Sequence, residues 1–115
     1  MLRQGDLLLI KTDNLPKAKK VKKVMQSSLL EGEATGHHHT IVCDAEIQRL
    51  EYGEKEFQDF LRSLGIEASG ICGLELEKPA ILTHQEHGKI DIPAGKYIAI
   101  RQREYTPEAI RNVMD

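Results

Sequence analysis

Apolar residues in this chain come in short runs, most of them alternating with polar residues and bounded by glycine, proline, asparagine or aspartate. That spacing matches the period of a β-strand, in which successive side chains face opposite ways. The links between runs are mostly too short for crossover helices, so antiparallel connection is expected. One stretch departs from the pattern. From Glu54 to Leu64, the residues Phe57, Phe60, Leu61 and Leu64 fall at i, i+3, i+4 and i+7, one face of an amphipathic helix. Gly65 suits its C-terminal stop. Thr106-Pro107 opens a second, shorter helical pattern through Met114, with threonine as cap and proline in the first turn. The expected fold is mainly β: a small antiparallel β-barrel or sandwich, with one amphipathic helix in the middle and a short C-terminal helix.

With 115 residues, the chain has the length of one domain around one core, spanning 1–115. Aromatics make up 4% and tryptophan is absent, so isoleucine, leucine and valine must build that core. The strand pattern is clearest at Leu7 to Thr12, Leu74 to Lys78, Ala80 to Thr83 and Lys89 to Ile92. It is also clear from Lys96 onward, where Tyr97 and Ala99 alternate with Ile98 and Ile100. The formal net charge of -2 gives no global attraction to nucleic acid. The opening Met1-Leu-Arg-Gln-Gly-Asp lacks the apolar run of a leader. The longest apolar run, Leu7 to Ile10, is far too short to span a bilayer. The expected location is the cytoplasm, with no membrane partner. Cys43 and Cys72 stand far apart and read as reduced core residues.

Chemistry gathers in the histidines. All five lie in two places: His37, His38 and His39 are consecutive, and His84 and His87 are separated by two residues. On a strand, His37 and His39 project together and His38 points away. His84 and His87, in a tight turn, can present two more imidazoles. Four imidazoles suit a divalent transition metal such as Zn, Fe, Ni or Cu, whereas Ca and Mg want oxygen. His37, His39, His84 and His87 are therefore the expected metal ligands. Glu86 is the expected acid-base residue, should an open coordination position polarise a small-molecule substrate or generate a metal-bound water. The plainer alternative is that histidines in turns are solvated and do no more than that.

The Gly-rich approach to His-x-His, followed later by Ile-Pro-Ala-Gly, resembles the two signature segments of the cupin superfamily. Gly32, His37 and His39 match the first segment, with Asp44 where that family carries a glutamate. Gly88, Pro93 and Gly95 match the second, with Ile98 where it carries a histidine. The resemblance implies a small β-barrel with metal held inside. The stretch Ile100 to Arg111 is also similar to the ending of small uncharacterised bacterial His-rich proteins, which imply no particular activity.

A second function class rests on charge. Lysines stand at 17, 19, 20, 22 and 23, with Arg101 and Arg103 later. The segment 17–23 can serve a non-enzymatic module that binds RNA or a protein partner. Such a run is also an ordinary way to keep a sheet edge from aggregating.

Overall fold

A computed structural model of the protein describes residues 1–31, 38–85 and 88–102. Its strands are β1 (Leu2–Gln4), β2 (Leu7–Thr12), β3 (Lys20–Glu31), β4 (His38–Glu51), β5 (Ser69–Leu76), β6 (Ala80–Thr83), β7 (Ile90–Ile92) and β8 (Gly95–Arg101). One helix, α1 (Glu54–Ser63), lies between β4 and β5. All pairings are antiparallel, in the order β1-β2-β8-β5-β4-β6-β7, and β3 joins β4 on its other side. The two ends of this sheet, β1 and β7, come to lie beside one another. The described residues thus form a nearly closed, barrel-like sheet with one helix on its outside.

Strand alternation assigns the two faces. Leu7, Leu9, Ile41, Leu74, Leu82 and Tyr97 point inward and are almost wholly buried. Leu8, Ile98 and Ile100 point outward and are buried as well, because α1 lies over them with Phe57 and Leu61. This explains why β2 reads as a continuous apolar run while most strands alternate. Only the part of the sheet beneath the helix needs apolar residues on both faces. Away from the helix, the cross-strand pair Val42 and Ile81 is exposed on the outer face.

The helix ends as its sequence predicts, with one correction. Gly65 adopts φ 75°, the left-handed conformation that glycine reaches most readily. The Ile66 amide donates to the Leu61 carbonyl and the Gly65 amide to that of Arg62, each at 2.9 Å. These bonds form a Schellman motif. The chain therefore turns at Leu64, which is 49% exposed, and not part of the buried stripe. Ile66, beyond the turn, packs against Leu61 in its stead. Phe60 is only partly buried.

Gly70 sets how closely the helix approaches. A Cβ at this position would stand 2.5 Å from the Phe57 ring and 3.2 Å from Leu61. Gly70→Ala should destabilise the fold by about 1–3 kcal/mol, the usual range for overpacking. Urea unfolding would measure it, and a change near zero would show that the helix shifts freely over the sheet.

Two strands have no clear local signal for their extent. His38 and His39 and the residues that follow them to Glu51 form one strand of 14 residues, β4. It pairs with β6 through Thr40–Cys43 and with β5 through Ile47–Leu50, changing partner in between. The short β1 also carries no strong strand signal in the sequence. It forms because Gly5, at φ 59°, and Asp6 make a two-residue turn between the paired Gln4 and Leu7. The expected C-terminal helix falls in 103–115, outside the described residues.

Candidate functional site

Gln4 ends β1 on the inner face, where it is 3% exposed. Its Nε2 donates to the Gly88 carbonyl at 2.9 Å and to the Leu82 carbonyl at 3.3 Å. These bonds cross from β1 to β6 and to the residues just before β7. A side chain thus bridges the seam of the barrel. The Gln4 Oε1 lies 2.9 Å from Nδ1 of His39.

His39 is 5% exposed and shares the inner face of β4 with Ile41 and Cys43. The β4–β6 ladder pairs Thr40 with Thr83, so the next rung places His39 opposite His84. Their rings lie with centroids 4.3 Å apart and planes tilted by 35°. His84 is partly buried. Alternation places His38 on the other face of β4. Its backbone amide donates to Gln85 Oε1 at 2.8 Å, tying the residues after β6 to the start of β4. The Thr83 hydroxyl adds a bond to the Thr40 carbonyl at 3.2 Å.

The structure therefore brings one member of each histidine cluster together. His37, Glu86 and His87 lie outside the described residues. Among the described residues, no group of three His, Cys, Asp or Glu surrounds one point. Gln4 escaped the sequence reading altogether. The usable signal was a Gly-Asp turn immediately before an apolar run, which implies a preceding strand to complete a hairpin. Nothing in that signal says which side chain of the strand meets a histidine.

The cysteines are elsewhere. Cys43 and Cys72 are buried and not joined to each other. Burial pushes the Cys72 thiol up to about 11, which keeps it protonated and poorly nucleophilic.

The basic segment lies along β3 and the residues before it. Lys20, Lys22 and Lys23 are exposed, and among the described residues β3 pairs with β4 alone. Lys22 meets Glu51 at 2.8 Å, and this contact lowers the Glu51 carboxyl below its usual range. Lys17 and Lys19, with Tyr52 and Glu56, line an open concavity of about 330 Å³ at the start of α1. Among the described residues, no helix is long and apolar enough to cross a membrane.

A nearly closed antiparallel barrel with one covering helix and a histidine pair at its seam is the class of protein these features define. The chain belongs to the family described as "Domain of unknown function (DUF8820)", whose profile matches residues 3–102. No curated protein and no solved structure matches the chain. The family match assigns no activity and makes no link to the cupin superfamily.

Proposed function

We propose that this protein is a small metal-binding β-barrel, with His39 and His84 as two ligands of a divalent transition-metal site. The observation that carries the reading is the approach of their rings, 4.3 Å between centroids, from clusters that lie far apart in sequence. Nitrogens bound to one zinc ion at about 2.0–2.1 Å stand about 3–4 Å apart, and rings with centroids 4.3 Å apart are near enough to share one ion. A stable site needs further ligands. His37, two positions before His39, and His87, three positions after His84, are the sequence's own candidates. Glu86 lies between His84 and His87 and is the proposed acid-base residue if the site has a catalytic, open coordination position. The substrate would then be a small molecule.

Calorimetric titration of the chelator-treated protein with zinc tests this. Binding near one ion per chain is expected, lost in His39→Ala and His84→Ala and retained in His38→Ala, whose ring faces away. Protons compete with metal for the imidazole nitrogen, so affinity should fall as pH is lowered. No binding by the unaltered protein, or equal loss in all three variants, would sink the reading.

The exposed lysines of β3 favour one other reading, a module that binds RNA or an acidic protein surface through segment 17–23. That binding would fall steeply with salt, as phosphate contacts release counterions, and metal binding would not.

A further inference from the structure

We infer that Gln4 is a positioning residue: it holds the proton of His39 on Nδ1 and so makes Nε2 the atom through which His39 binds metal. The inference follows from what each atom around the amide can do. The carbonyl oxygens of Leu82 and Gly88 only accept hydrogen bonds, so the group facing both must be the amide nitrogen of Gln4. The Gln4 oxygen is then the atom 2.9 Å from Nδ1 of His39, and it can only accept. Nδ1 must therefore carry a hydrogen. A neutral imidazole with hydrogen on Nδ1 has its lone pair on Nε2, the only nitrogen of that ring then able to bind a metal.

The arrangement is well anchored. Gln4 is 3% exposed and His39 5%, so water competes poorly for either. Gln4 ends a strand fixed by a two-residue turn, and its two donated bonds hold the amide plane against rotation. A partner that fixes ring orientation and tautomer is a frequent companion of a metal-binding histidine. Here the partner comes from the opposite edge of the seam. The same side chain that closes the barrel therefore aims the histidine.

The assignment to Nδ1 stands on geometry alone, and the assignment of Nε2 as ligand rests on the metal reading above. Long-range proton–nitrogen correlation spectra of the labelled full chain separate the two. They are recorded without metal at a pH above the imidazole range and then with zinc added, and His39 is identified by comparison with His39→Gln. The expected result is a protonated, pyrrole-type Nδ1 and a pyridine-type Nε2, with Nε2 shifting when zinc binds. Gln4→Met removes the acceptor, so its His39 should become a mixture of tautomers and its zinc affinity should fall about 10–100-fold. Gln4→Glu also loses the two donated bonds but keeps an acceptor, so its Nδ1 should stay protonated. This pair of variants distinguishes positioning from seam closure, because both weaken the seam and only one frees the tautomer. A wild-type His39 with its proton on Nε2 overturns the inference, even if Gln4→Met fails to fold. So does an unchanged tautomer in folded Gln4→Met. A protonated Nδ1 in a spectrum that zinc leaves unaltered overturns the metal reading and its ligand assignment, while the role of Gln4 in setting the tautomer stands.

Discussion

Phe57→Ala should lower the free energy of unfolding by about 3–5 kcal/mol, the range for removing a buried phenylalanine. The ring is 4% exposed. It lies against Gly70, at a spacing that already excludes a methyl group there, and 4.8 Å from the ring of Tyr52. Truncation leaves a void that the sheet cannot fill, since Leu8, Ile98 and Ile100 are held in paired strands. Tyr52 cannot readily swing in, because its hydroxyl donates to the Pro16 carbonyl at 2.9 Å. Urea unfolding followed by circular dichroism gives the number. Leu64→Ala is the internal control, expected within about 0.5 kcal/mol because that side chain faces solvent. Equal losses from the two substitutions would mean that the helix does not bury the stripe described here.

Gln4→Leu should cost roughly 2–4 kcal/mol, although it adds apolar surface to an apolar interior. Leucine has a similar size but cannot bond with Leu82, Gly88 or His39. Gly88 is exposed, so its carbonyl can turn to water. The Leu82 carbonyl and the His39 Nδ1 hydrogen cannot do so easily. Each buried polar group left without a partner costs about 1–3 kcal/mol, and the lower half of that range applied to two groups gives the estimate. Hydrogen exchange should also quicken at the amides of β1 and β7 before those of β5 and β8. A stability change under about 1 kcal/mol, with exchange unaltered, would show that the seam is held by packing.

The parts legible in the sequence are those whose signal is local. Tyr97 and Ala99 face the interior and Ile98 and Ile100 the helix, as alternation alone implies. The separation of His38 from His39 follows from the same two-residue period. Leu64 failed because helical spacing carries no information on where the chain leaves the axis, and one left-handed residue at Gly65 moved the buried position to Ile66. β3 has no clean two-residue period because its pairing with β4 slips twice, between Val24 and Gln26 and between Ser28 and Leu30. A slip of this kind breaks the alternation that pattern reading depends on. Arg49 bonds Ser27 and the Ser28 carbonyl beside the second slip, a contact set by the fold. At the histidine site, the two clusters could be named from composition, but Gln4 could not. Its partners are 35 to 84 positions away, and a single glutamine in a short N-terminal strand has no pattern to betray it.

Pairing β2 with β8 also governs the order in which this barrel can assemble. Leu7 faces Arg101 and Thr12 faces Lys96, so the most apolar of the described strands waits for the last of them in sequence order. During synthesis from the N-terminus, β1 and β2 can close as a hairpin, but the Leu-Leu-Leu-Ile run of β2 has no cover on either face until β8 has emerged. Closing so distant a contact before it is rewarded raises the kinetic barrier, and sheets of this kind fold in about milliseconds to seconds. Over that interval, the nascent chain exposes a strongly apolar strand, a surface suited to chaperone capture or to association between unfinished chains.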